Sequence, residues 1–178
     1  MNDSIIARRY AKAFFQLGLE NKKQQDFASD LKGLLNLYNQ DENFRFVISN
    51  PVISNSKKKA LFKKLFDGKV DVQVLNFLNV LISKSREEYL PDIARAFIRM
   101  YQEHGNIQEV HITTAYEMDA ALVAEIEKML NNRSGKKSEI HTKINSELIG
   151  GFILKVDDSQ LDASVSGQLK SIKKQLSN

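Results

Sequence analysis

Residues 90–114 read LPDIARAFIRMYQEHGNIQEVHITT, and the hydrophobic period changes part-way along them. Up to Tyr101 the apolar residues fall at helical spacing, with Leu90, Ala94, Phe97, Ile98 and Tyr101 on one stripe. Pro91 sits in the first turn, where its missing N–H would have no partner anyway, and Gly105 stands just past the predicted end. Beyond Gly105-Asn106 the period falls to two. Val110, Ile112 and Thr114 alternate with Glu109, His111 and Thr113, the pattern of a half-buried strand. The change of period after an all-helical stretch marks the expected boundary between two units, near Gly105-Asn106.

Everything upstream reads as helix. Ser4 can cap a first helix whose apolar residues run to Leu19. A second carries Phe27, Leu31, Leu34, Leu35 and Tyr38. A short third starts at Asp41, holds Phe44, Val47 and Ile48, and ends before Asn50-Pro51. Ser54 or Ser56 caps a fourth with Leu61, Phe62, Leu65 and Phe66, closed by Gly68. A fifth spans about Asp71 to Lys84, and the stripe from Leu90 is the sixth.

Downstream, Met118–Leu130 is helical, with Leu122, Ile126, Met129 and Leu130 in phase. The polar, lysine-rich segment Asn131–Ser138 reads as a loop. Ile140, Thr142 and Ile144 alternate as a second strand. Leu148-Ile149-Gly150-Gly151-Phe152-Ile153-Leu154 suggests a third, entered through a glycine bulge or bend. A final helix follows Asp162, with Val165, Leu169, Ile172 and Leu176 on one face. The fold class is therefore mainly α: an N-terminal six-helix bundle over residues 1–105, then a smaller α+β C-terminal domain over 106–178.

Composition excludes several function classes. Of 178 residues, 42% are hydrophobic and 27% charged, enough apolar material for a sizeable core. The absence of cysteine removes disulfides, thiolate metal sites and cysteine nucleophiles. The 26 Lys and Arg against 22 Asp and Glu leave a net +4, spread along the chain rather than gathered into a phosphate-binding patch. No apolar run approaches the ~20 residues of a membrane span, and Met-Asn-Asp-Ser is not the start of a signal peptide. A soluble protein is expected, reaching a membrane only through partners.

No motif carries catalysis. Gly68-Lys69 and Gly135-Lys136 lack the glycine five positions earlier that a phosphate loop needs; Lys63 and Leu130 stand there instead. His104, His111 and His141 are not at metal-ligand spacing and read as solvated or hydrogen-bonded. Asp157, Asp158 and Asp162 miss the calcium-loop pattern and read as a turn and a helix N-cap. The basic run Lys57, Lys58, Lys59, Lys63 and Lys64 reads as a solvated helix face, with an anionic-partner site as the alternative.

Two helices are too apolar for a small bundle's exterior. The first has Ala11, Phe14, Phe15 and Gly18 on one side, and Ile6, Tyr10, Ala13 and Leu17 on another. The fifth has Val74, Leu75, Leu78, Leu81 and Ile82 in one set, with Phe77 and Val80 outside it. Either both helices are buried on two sides, or together they leave a groove for another amphipathic helix.

The ordered motifs resemble the ATP synthase δ subunit family and its mitochondrial counterpart, the oligomycin-sensitivity-conferring protein. The likeness rests on Ala7-Arg8-Arg9-Tyr10-Ala11-Lys12-Ala13-Phe14, Asn50-Pro51 before a lysine-rich helix, and Phe77-Leu78-x-x-Leu81 followed by Arg86, Leu90-Pro91-x-Ile93 and Phe97. It continues in Leu148-Ile149-Gly150-Gly151-Phe152 and in Asp162-x-Ser164-Val165 with Leu169. The resemblance implies a non-catalytic connector that links the catalytic head of an F-type ATP synthase to its peripheral stalk, the stator. The N-terminal domain would bind the N-terminal helix of an α subunit between the first and fifth helices. Tyr10, Ala13 and Val80 match groove positions, and Leu17 and Phe77 complete the expected set. The C-terminal domain, with its signature Leu148, Ile149, Gly150, Gly151, Asp162 and Ser164, would meet the stalk b subunits. No cofactor, metal or catalytic residue is implied, and the implied place is peripheral, at the cytoplasmic face of a bacterial inner membrane. Two other classes are a nucleic-acid-binding helical protein, suggested by the pI near 9.2 and the lysine run, and a small enzyme with an unfamiliar site.

Overall fold

The computed structural model describes residues 5–156 and 159–169. Among these the chain is mostly helical, with a four-stranded sheet toward its C-terminal end. It divides into two compact units, Met1–Glu103 and His104–Asn178.

The first unit holds α1 (Ile5–Glu20), α2 (Gln24–Gln40), α3 (Glu42–Ser49), α4 (Asn55–Phe66), α5 (Val72–Ser83), a 3-10 turn (Glu87–Tyr89) and all but the last residue of α6 (Leu90–His104). Helix starts are set by carboxylates. Asp41 accepts from the backbone N–H groups of Asn43 and Phe44 at 2.8 and 3.1 Å, which fixes the short connection between α2 and α3. Ser54 takes the N-cap position of α4 without a side-chain cap bond, and Ser4 lies outside the described residues.

Asp71 caps α5 through the Gln73 N–H and accepts from Lys23 Nζ at 2.7 Å, while its own N–H donates to Asp30 Oδ2 at 2.7 Å. The α1–α2 turn, α2 and the start of α5 are thereby tied together. The Lys23 hydrogen bond holds the Asp71 carboxyl below its usual range and raises Lys23 in return. Burial pushes the Asp30 carboxyl up.

The core is aromatic. Phe14 stacks on Phe27 at 4.8 Å and on Phe77 at 4.1 Å between ring centroids, with Phe97 at 5.4 Å. Phe44, Phe62 and Phe66 form a second cluster joining α3 to α4. Leu31, Leu78, Leu81, Ile82, Leu90 and Ile93 belong to the same buried core.

One residue of the lysine run departs from the sequence reading. Lys58 is not on a solvated face: it is 2% exposed, donates to Glu87 Oε1 at 2.5 Å and reaches the Ile48 carbonyl at 3.3 Å. Its partner comes from the 3-10 turn ahead of α6, an element with no periodic signal in the sequence.

The second unit contains β1 (Ile107–Thr114), α7 (Ala120–Ser134), β2 (Lys137–Ile144), β3 (Phe152–Val156) and β4 (Ser159–Asp162), with residues 165–169 helical. The sheet order is β2-β1-β3-β4. β1 pairs parallel with β2, His111 opposite His141, and antiparallel with β3, Ile112 opposite Leu154. Val110 and Ile112 face the interior, and the buried Gln108 side chain is satisfied by Ser138 Oγ at 2.7 Å.

Several sequence expectations shift here. α6 ends at His104, so Gly105 stands just past it as read, and the left-handed residue that follows is Asn106, with φ 49°. The Asn131–Ser138 segment is not a loop. Asn131–Ser134 is the last turn of α7, Gly135 closes it at φ 67°, and β2 has begun by Lys137. β2 is an edge strand whose buried residue is Ser138, and Ile144 is exposed. β4 was not expected at all. The final helix is capped by Ser164, whose Oγ accepts from Gly167 N at 3.0 Å, rather than by Asp162. Asp157, Asp158, Ile172 and Leu176 lie outside the described residues.

Candidate functional site

α1 turns Ala7, Ala11, Phe14 and Gly18 into the core, and α5 does the same with Val74, Leu78, Leu81 and Ile82. Each helix has a second apolar set that the rest of the unit buries only in part. On α1 these are Ile6 and Tyr10, half-buried, and Ala13 and Leu17, exposed. On α5 they are Phe77, half-buried, and Val80, 48% exposed.

Tyr10 and Phe77 meet edge-on, their centroids 6.5 Å apart and planes at 61°, so the two second stripes adjoin. A cleft of about 410 Å³ opens there, lined by Ile6, Arg9, Tyr10, Ala13 and Arg86. Of the five predicted contact residues, Tyr10 and Ala13 line the cleft and Phe77 backs it through Tyr10. Leu17 and Val80 are exposed outside that lining.

The residues that sequence reasoning left out of the site are Arg9 and Arg86. Neither forms an ion pair among the described residues; the Arg86 guanidinium lies over the Tyr89 ring at 5.9 Å. Arg9 shares α1 with the apolar stripe, and Arg86 is brought in by the turn after α5. Helical periodicity cannot place that turn.

The C-terminal signature builds a joint in the second unit. Gly151 has φ 77°, and a Cβ there would lie 2.3 Å from the Ala163 carbonyl oxygen, so only glycine fits. Ala163 N donates to Phe152 O and Val165 N to Gly150 O, at 2.9 and 3.0 Å. Asp162 Oδ1 accepts from both Ser164 N and Ser164 Oγ, at 2.9 and 2.5 Å. Leu148 and Ser164 are buried. Of the six signature residues Ile149 is the apolar one left exposed, at 74%, in company with Phe152, Leu161, Val165 and Leu169 on the unit's surface.

Among the described residues no His, Cys, Asp or Glu group could hold a metal ion, and no helix is long and apolar enough to cross a membrane. The two sites offer shape, apolar surface and charge.

The family model described as "ATP synthase delta (OSCP) subunit" matches residues 6–176. The chain is 34% identical over 171 residues to ATP synthase subunit delta of Clostridium botulinum, covering 96% of both chains. It is 32% identical to the same subunit of Desulfotalea psychrophila (99% of this chain, 98% of the relative) and 33% to that of Cytophaga hutchinsonii (97% and 94%). Among solved structures, a chain of the Toxoplasma gondii mitochondrial ATP synthase hexamer shares the fold, with TM-score 0.67, 24% identity and coverage of 98% of this chain and 99% of that one. The chain belongs to the ATP synthase delta (OSCP) subunit family, non-catalytic connector subunits of F-type ATP synthase.

Proposed function

We propose that the first unit grips the catalytic head by seating the N-terminal helix of an α subunit in the cleft along α1, beside α5 and the turn that follows it, and that the second unit holds the b subunits of the peripheral stalk. The single observation that carries this is the pair of partly uncovered apolar stripes meeting at Tyr10 and Phe77. Burying a monomer's exposed apolar stripe against a second amphipathic helix is a common mode of recognition. The exposed set Ile149, Phe152, Leu161, Val165 and Leu169 supplies the second unit with contact surface of its own. The subunit would then sit peripherally at the cytoplasmic face of a bacterial inner membrane, held there by partners.

Ala13→Asp tests the cleft. It puts a carboxylate into the apolar contact, and α-peptide affinity should fall at least tenfold, on the order of 1.4 kcal/mol or more, because the charge must be desolvated without a partner. Helical circular dichroism should not change, since Ala13 is exposed. Unaltered peptide affinity, read by calorimetry, would place the contact elsewhere.

A further inference from the structure

We propose that Arg9 and Arg86 select a helix carrying a cluster of carboxylates beside its apolar stripe, so that charge, and not apolar area alone, fixes the orientation of the bound helix. This rests on the cleft's being a helix-docking groove and specifies the chemistry of its occupant.

The first observation is the lining. Two guanidiniums border a cleft otherwise formed by Ile6, Tyr10 and Ala13, and neither has a carboxylate partner among the described residues. A protein that paired these groups internally would leave a neutral groove. Here the cations stay available.

The second is the distribution of charge. The chain as a whole is nearly balanced, 26 basic residues against 22 acidic. Around the cleft the balance is lost. From Ile5 to Leu19, α1 carries Arg8, Arg9 and Lys12 and no Asp or Glu. α5 carries no charged residue, and Lys84 and Arg86 follow it directly. The nearest carboxylate in sequence, Glu87, is turned inward to Lys58 and does not neutralise Arg86; Glu88 lines a separate cavity with those two residues.

The third is pre-organisation. The Arg86 guanidinium lies over the Tyr89 ring at 5.9 Å, a weak cation–π contact that favours one side-chain placement and so lowers the ordering cost of binding a carboxylate. Guanidiniums pair with carboxylates in a two-pronged geometry, and in a partly dry groove such pairs outweigh fully exposed ones. An apolar stripe tolerates reversal or a one-turn slip of its partner, whereas two cations bordering the cleft penalise both. The apolar floor of Ile6, Tyr10 and Ala13 favours a helix over a bare phosphate-bearing ligand.

The test titrates the full-length chain with a synthetic peptide of the N-terminal helix of its own α subunit, and with that peptide after Asp and Glu are changed to Asn and Gln. Arg9→Gln and Arg86→Gln should each weaken binding of the native peptide by ~3–10-fold. Against the neutralised peptide that loss should vanish, as a double-mutant cycle requires of a true pair. Affinity of the wild-type pair should also fall as salt is raised.

If both variants bind the native peptide as tightly as wild type, or the α helix has no carboxylates, charge selection is overturned while the groove survives. If wild type binds neither peptide, both readings fall. Displacement of the native peptide by duplex DNA or anionic vesicles at comparable affinity would instead assign the cations to phosphate.

Discussion

Taking an ammonium and a carboxylate out of water costs several kcal/mol for each ion, and Lys58 and Glu87 meet that cost only together. Lys58→Met should leave Glu87 buried and uncompensated, destabilising the chain by about 3–5 kcal/mol, whereas Lys58→Met with Glu87→Leu should recover most of the loss. Urea unfolding of the two variants checks this, and a single variant as stable as the double would show that the pair is not coupled. Nothing in the sequence marked Lys58 out. Five lysines spread around a helix look alike, and the distinguishing carboxylate is 29 positions away on a turn without periodicity. The second apolar stripe of α1, with Tyr10 and Ala13, is legible by contrast, because such a stripe is a local property of one helix. Arg9 and Arg86 are not, since their meaning depends on carboxylates the fold fails to bring near them.

Helix boundaries followed their caps where the cap was a carboxylate, as with Asp41 and Asp71, because one side-chain oxygen can satisfy free N–H groups of the first turn. The edges of the small sheet were harder to read. β4 is four residues long and fully exposed, so neither alternation nor apolar content announces it. Asn131–Ser138 looked like a loop because its residues are polar; Gly135 there is a left-handed helix terminator, and polarity reflects the edge position of β2. The Gly150-Gly151 bend was legible, and the structure separates its two glycines. Gly151→Ala should cost about 1–3 kcal/mol from the forced backbone alone, with the 2.3 Å approach to Ala163 added to it. At Gly150 a new Cβ would meet only Val165 Cγ2, at 3.4 Å, and Gly150→Ala should be tolerated. Comparable thermal stability of the two alanine variants would contradict the assignment of the bend to Gly151.

At the scale of the molecule, two compact units give a connector two independent surfaces: a cationic, apolar cleft on one and an exposed apolar set on the other. The switch of period near Gly105 made the two kinds of architecture legible in advance, since helical and strand patterning cannot share a segment. Which partner each surface takes does not follow from patterning, because an apolar stripe records that something covers it and not what. If the first unit holds the head and the second the stalk, deleting residues 106–178 should leave the head occupied and the anchor gone. ATP hydrolysis by the head needs no anchor; synthesis needs the torque of the rotor to be opposed. The most direct measurement is therefore the rate of gradient-driven ATP synthesis in reconstituted vesicles carrying the truncated subunit, with α-peptide binding and ATP hydrolysis as controls on the same preparation. The expected result is collapsed synthesis with both controls intact; synthesis at the full-length rate would show that the stalk is held by some other part of the complex.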